Sequence, residues 1–240
     1  MNRASDPVTL VARFAGPLQS WSLDRGRRRV TQLAPTKSGV VGICARSLGI
    51  DLSNGEQWAP LAAMRLGVRV DRPGHLLEDY QTAGGGRMGG RGYFVARADR
   101  KQQVTERWQG YLSDAAFLVC LEGDRGLVDD LAGALEAPAH CWGLGKLSCP
   151  PLRPVVLDVV ECGVHGAVGA YGLVDGTGQV PVSGKAEWDA TVVDAKSQRR
   201  FDVPVDFVER RYVTRFVTTA TIEVATIADA IGVDNEEVLV

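Results

Sequence analysis

The feature that most constrains the fold of this 240-residue chain is the order of its apolar segments. Short runs rich in β-branched residues alternate with two segments whose apolar residues recur at helical spacing. "VTLVARF" (Val8 to Phe14) reads as a strand, which "AGPLQSW" breaks with Gly16 and Pro17. In "PTKSGVVGICARSLGI" (Pro35 to Ile50) a helix is predicted from Lys37, with Val40, Val41, Cys44 and Leu48 on one face. Thr36 is its expected N-cap and Gly49 its expected stop. Gly39 and Gly42 lie inside that helix at a cost of roughly 1 kcal/mol each relative to alanine. Such a cost makes sense where another group approaches closely.

"RLGVRV" (Arg65 to Val70) reads as a second strand and "DAAFLVCLEG" (Asp114 to Gly123) as a third. "RGLVDDLAGALEAP" puts Leu127, Leu131, Ala134 and Leu135 on one stripe, a second helix stopped by Pro138. "RPVVLDVVE" (Arg153 to Glu161) is a fourth strand. The order β-α-β-β-α-β predicts an α+β fold with a ferredoxin-like (RRM-like) core. That plan hosts many functions, so function must come from the residues placed on it.

Two segments depart from the plan. About forty residues separate the second and third strands, where a short turn would serve, and connections that long are functional insertions or disordered. An arm is therefore expected at about 75–110, within a first domain spanning 1–162. The second departure is "CWGLGKLSCPP" (Cys141 to Pro151), a Gly/Pro-rich loop with Lys146 at its centre. Residues 163–240 are expected to form a small C-terminal β-rich region packed on the core and ending in a frayed acidic tail. Within it Pro204 argues against a central strand.

The charge balance narrows the partners. Residues 1–107 carry 17 basic and 9 acidic side chains, and residues 108–240 carry 10 and 20. Halves of opposite sign fit a chain with one face on a polyanion and another on water or a basic partner. The five cysteines are scattered without a CxxC pair and there are only three histidines, so neither a disulfide framework nor a metal centre is expected, and no cofactor. No apolar run reaches the ~20 residues of a membrane span, and Met1 to Pro7 has no signal-peptide core, so a cytoplasmic protein without membrane contact is expected.

"AGGGRMGGRGYF" (Ala83 to Phe94) contains G-x-G-x-x-G but lacks the strand-to-helix turn of a dinucleotide fold. With "RGRRR" and "RADRKQQVTER" it instead supplies arginine and lysine interspersed with Tyr93, Phe94 and Trp108, the chemistry of phosphate binding and base stacking. Met88 reads either as a wedge between bases or as a loop anchor. Lys37 and Ser38 stand in the first turn of the first helix, where the helix dipole disfavours lysine. An anion held between the two would account for it; an ordinary capped helix is the competing reading. His75 and Tyr80 are close in sequence and are the candidates for acid–base chemistry on RNA.

"FAGPLQSWS" followed by "PTKSGVVGICARSLGI" resembles the N-terminal signature of the CasD subunit family of the type I-E CRISPR Cascade complex. "EDYQTA", "YLSDAAFLVCL", "LAGALEAP", "GLGKLSCPP" and "ERRYVTR" resemble later blocks in the same order, and the likeness covers most of residues 8–217. The resemblance implies a RAMP protein with a β-hairpin thumb and a glycine-rich loop that grips the 5′ handle of the CRISPR RNA. It implies CasC-type backbone subunits and a CasA-type large subunit as partners, with target DNA engaged indirectly through the complex. A related branch, in type I-C systems, is a metal-independent ribonuclease that uses a tyrosine with a Lys-His dipeptide. No such dipeptide occurs here, so a non-catalytic RNA-binding subunit is expected. A protein-only interaction module with a basic face is the other alternative. The expected RNA contacts are Gln19, Ser20 and Trp21 on splayed bases, and Arg27, Arg28 and Arg29 along the backbone. Thr36, Lys37, Ser38 and Gly39 would hold a phosphate, Arg87, Met88 and Arg91 would act on the arm, Lys146 and Ser148 in the glycine-rich loop, and Arg210, Arg211 and Tyr212 near the C-terminus. Leu147 stands where family members often carry a second basic residue.

Overall fold

The structure, a computed structural model, describes residues 7–23, 26–84, 87–88, 91–92, 104–170 and 183–223. In chain order the elements begin with β1 (Val8–Ala15), β2 (Leu18–Gln19), β3 (Arg28–Arg29), α1 (Lys37–Ser47), α2 (Gly55–Ala63) and β4 (Arg65–Arg72). The insertion supplies β5 (His75–Gly84), β6 (Arg87–Met88), β7 (Arg91–Gly92) and β8 (Val104–Ser113). Then come β9 (Ala116–Gly123), α3 (Arg125–Glu136), β10 (Val156–Val160), α4 (Val164–Ala170), β11 (Ser183–Asp189), β12 (Gln198–Asp206) and β13 (Arg211–Glu223).

The main sheet has seven antiparallel strands in the order β10-β1-β9-β4-β11-β13-β12. Its first four members are the four strands read from the sequence. Strand alternation divides their side chains cleanly. Leu10, Ala12 and Phe14 of β1, Phe117, Val119 and Leu121 of β9, and Leu66 and Val68 of β4 face the helical layer of α1, α2 and α3. Val11, Leu118 and Cys120 face the opposite side, where α4 adds Val164, Ala167 and Val168. Helices thus cover both faces. On the α4 side Arg69 and Asp71 are fully buried and paired at 2.6 Å, and Arg69 also donates to the Val168 carbonyl.

The described C-terminal strands extend the main sheet. β11 bonds directly to β4, so the same sheet continues through it. Pro204 is accommodated because β12 is the sheet's edge. The acidic tail lies outside the described residues. α2 went unread in the sequence because only Trp58 and Leu61 anchor it, too short a stripe to show a period, and Pro60 interrupts it.

The expected arm is a β-hairpin in which β5 and β8 pair along ten residues, His75↔Ser113 to Gly84↔Val104. The other edge of β8 receives β2 antiparallel and β3 parallel, with Arg28 opposite Trp108 and Arg29 opposite Gln109. Part of the basic run "RGRRR" is therefore a short strand docked on the hairpin.

One buried ion network joins the start of α1 to the C-terminal strands. Asp202 accepts the Lys37 backbone N–H at 2.8 Å, so a carboxylate of the chain sits at the helix N-terminus. Lys37 Nζ donates to Asp189 at 2.9 Å. Arg215 bridges the two acids, at 2.8 Å to Asp202 and 2.6 Å to Asp189. Glu187 lies 3.5 Å from Arg215 and also accepts from Arg200. Burial pushes the Asp189 carboxyl up, but the charges of Arg215 and Lys37 outweigh it and hold it below its ordinary value. Its contribution to stability is therefore complete above the usual carboxylate range and is lost as pH falls through the lowered value. Asp189→Asn should cost about 3–5 kcal/mol at neutral pH by leaving buried cations uncompensated. In urea melts at a series of pH values, the gap between variant and parent should shrink on the acid side.

Candidate functional site

A groove of about 580 Å³ forms where four sequence-distant segments meet. The loop after β1 gives Ser20, Trp21 and Ser22, and α1 gives Thr36, Ser38, Gly39 and Arg46. The glycine-rich loop gives Trp142, Gly143, Gly145, Lys146 and Leu147, and the β12–β13 turn gives Phe207, Val208, Arg210 and Tyr212. Eight of the residues expected to touch RNA line this one groove: Ser20, Trp21, Thr36, Ser38, Gly39, Lys146, Arg210 and Tyr212, with Trp21 buried in its wall.

Three residues expected to contact RNA are corrected by their surroundings. Gln19 is fully buried; its amide donates to the Phe14 and Ala115 carbonyls and accepts from Trp21 Nε1. Trp21 is 1% exposed and stacked on Phe14 with the rings 4° from parallel, so it offers no ring face to a base. Lys37 is buried with its ammonium on Asp189, so the anion that justifies a lysine in the first turn is supplied by the chain itself. These three shape the groove from beneath.

Local rules explain the groove's walls. Thr36 caps α1, its Oγ1 accepting from Gly39 N at 3.2 Å. A Cβ on Gly39 would lie 2.8 Å from the Trp21 ring, so the glycine inside the helix makes room for an indole. Gly145 has φ +76°, and a Cβ there would lie 2.0 Å from the Ser20 carbonyl. Ser20 N in turn donates to the Leu144 carbonyl at 3.0 Å, which locks the glycine-rich loop to the loop after β1.

The groove's charge is positive. Arg46 donates to the Cys141 carbonyl at 3.1 Å and lines one end. Lys146 Nζ donates to the Tyr111 hydroxyl at 2.9 Å and lies 5.1 Å from that ring's centroid. Asp51, the one carboxylate in the lining, is engaged by the N–H and hydroxyl of Ser53. Hydroxyls and cations around an open groove suit a phosphate-bearing polymer.

Other expected contacts lie outside the groove. Arg27 is exposed, Arg28 pairs with Glu78 at 3.0 Å, Arg211 pairs with Asp206 at 3.1 Å, and Ser148 is exposed at the surface. Arg29 flanks the hairpin on β3. Arg87, Met88 and Arg91 stand on the two short strands β6 and β7, which pair with each other. His75 and Tyr80 are five residues apart on β5 and so point to opposite faces, about 17 Å apart along the strand. They do not converge on one reacting atom, and Tyr80 donates to Glu106 at 3.0 Å. None of His75, His140 and His165 lines the groove. Among the described residues no cluster of His, Cys, Asp and Glu could hold a metal ion, and no helix is long and apolar enough to cross a membrane. Sequence reasoning missed Arg46, Gln109 and Tyr111. The signal for the last two was the period-2 polar pattern of "RWQGY".

The glycine at 145 is required and the one at 133 is not. Gly145→Ala combines a left-handed backbone with a backbone clash and should cost more than about 1–2 kcal/mol. Gly133→Ala, in mid-α3 with nothing within 4 Å, should gain about 0.5–1 kcal/mol. Thermal melts should move in opposite directions.

The family model described as "CRISPR-associated protein (Cas_Cas5)" matches residues 9–218. Among solved structures, one titled "Crystal structure of Cas protein" is 35% identical, with a TM-score of 0.68 over 90% of this chain and 95% of that one. Another, titled "CRISPR RNA-guided surveillance complex", is 28% identical, with a TM-score of 0.69 over 90% of each chain. No curated protein matches the sequence. With a family match across most of its length and a fold shared with these structures, the chain belongs to the Cas5 family of CRISPR-associated proteins.

Proposed function

We propose that the chain is the crRNA-binding subunit of a Cascade-type surveillance complex, that it grips the 5′ handle of the CRISPR RNA in the groove, and that it does so without cutting. The observation that carries this reading is the gathering of Ser20, Thr36, Ser38, Lys146, Arg210 and Tyr212, from four separate segments, around one positively charged groove. The family and the likeness to a chain from an RNA-guided surveillance complex support it. A CasD-type role in a type I-E complex is the finer form of the proposal. It rests on the sequence blocks named above, several of which build the groove. The partners would then be CasC-type backbone subunits and a CasA-type large subunit. The ferredoxin-like description of the core rests on the four strands standing in the order fourth, first, third, second, with α1 and α3 on one face.

In this reading Lys146, Arg210 and the groove hydroxyls contact RNA, while Gln19, Trp21 and Lys37 hold the walls in place. Arg27 and Arg28 add charge beside the hairpin, and Arg87, Met88 and Arg91 act at its distal end. The non-catalytic assignment is supported by the separation of His75 and Tyr80 on opposite faces of β5.

The test is binding of labelled repeat RNA in EDTA across a salt series, with cleavage read from the same samples. Lys146→Ala should weaken binding several-fold and lower the slope of log K against log salt by about 0.7. Lys37→Met should lower thermal stability but leave that slope unchanged. A defined cut in the RNA would replace the scaffold reading with the ribonuclease one. Absence of salt-sensitive binding would remove the RNA reading.

A further inference from the structure

Lys37 and Lys146 are held in different ways. Lys37 is buried and its ammonium sits on the Asp189 carboxylate at 2.9 Å, so its charge is answered inside the fold. Lys146 makes no ion pair among the described residues. Its Nζ donates instead to the Tyr111 hydroxyl at 2.9 Å and lies 5.1 Å from the centroid of that ring. A phenol hydroxyl and an aromatic face both attract an ammonium without neutralising it. An ammonium has three N–H donors, and the tyrosine takes one. The charge and the remaining donors are left for an anion in the groove.

Both ends of the Lys146 side chain are fixed. At the backbone end, the Lys146 carbonyl accepts from Cys149 N at 3.0 Å, and Leu144 N donates to the Cys149 carbonyl at 2.7 Å. Gly143 lets the loop close there, since a Cβ on it would lie 2.0 Å from the Lys146 carbonyl oxygen. At the far end stands Tyr111, which is 7% exposed and packed in the main core. It sits on β8, opposite Leu77 of β5. The same strand holds a second groove residue, Ser20. Gln109 donates to its Oγ, and that hydroxyl donates to the Gly110 carbonyl, each at 2.9 Å. The foot of the hairpin is thus a mount for groove side chains that belong to other segments. A lysine left free on a loop loses rotamer freedom when it binds, and one already held loses less.

We propose that Tyr111 is a positioning residue for RNA binding: it holds the Lys146 ammonium at the groove as an unneutralised charge and makes no contact with the RNA itself. The proposal rests on the RNA reading above. The burial of Tyr111 suits this role, because a mount packed in the core does not shift when the groove fills. The hairpin then serves the groove through its foot, whatever its distal end touches.

The test uses the full chain and labelled repeat RNA in the same salt series. Tyr111→Phe keeps the ring that packs in the core and removes only the hydroxyl, and a circular dichroism melt checks that the variant is folded at the assay temperature. It should weaken binding about fivefold, from the ordering that Lys146 must then undergo on binding. The slope of log K against log salt should stay in place, because no charge is removed. In the Lys146→Ala chain the same change should have no further effect, since the two residues act as one unit. Equal weakening in both backgrounds would mean that Tyr111 acts by a route other than Lys146 and would overturn the proposal. No weakening in the parent, with Lys146→Ala behaving as expected above, would also overturn it and leave the RNA reading standing. If the parent shows no salt-sensitive binding at all, both fall.

Discussion

The neutralised N-terminus of α1 is the interaction on which the rest of the structure depends. A helix start carries partial positive charge and unpaired N–H groups, and here a lysine adds a full charge to it. Asp202 and Asp189 answer both, and Arg215 ties the two carboxylates together. Those acids come from β11 and β12, so the network fastens the C-terminal strands across the start of the first helix. With that junction made, the β12–β13 turn stands against α1 and the groove has its fourth wall. A buried network of this kind is costly to desolvate and pays little net stability. Its value here is that it specifies one arrangement of two distant parts of the chain.

The charge asymmetry of the sequence takes on a different meaning in this light. Lys37 and Arg65 belong to the basic half, while Asp189 and Glu122, which hold them, belong to the acidic half. Part of the imbalance closes on itself inside the fold. The cations at the groove come from both halves of the chain: Arg46 from the basic one, Lys146 and Arg210 from the acidic one. Electrostatic attraction for a polyanion is then directed to one concave region rather than spread over half the surface.

The groove is also stiff. Trp21 lies on Phe14, Gly39 fits under the indole, and Gly145 lets the glycine-rich loop lie against the Ser20 backbone. The polar residues that line the groove are mounted on a capped helix and on loops that hydrogen-bond to each other. A surface built this way loses little conformational freedom when it binds, which favours a partner whose own backbone is flexible.

Much of the architecture was legible in the sequence. Strand alternation in "VTLVARF" and "AFLVCLEG", the helical stripe of "LVDDLAGAL", Thr36 as a cap and Gly49 as a stop are local patterns, and local sterics and burial impose them on neighbouring residues. The short motifs around Ser20, Ser38, Lys146 and Arg210 could be singled out for the same reason. Their convergence could not, because it depends on which strands pair. That pairing sends Gln19, Trp21 and Lys37 inward although their residue types suit a nucleic-acid surface equally well, and it brings Gln109 of the hairpin beside Arg29 of a different segment. A one-dimensional sequence states the period of each element and the chemistry each can offer. Whether a polar side chain meets a carboxylate of its own chain or faces solvent is settled by contacts between residues more than a hundred positions apart, as with Lys37 and Asp189, and only the tertiary structure decides it.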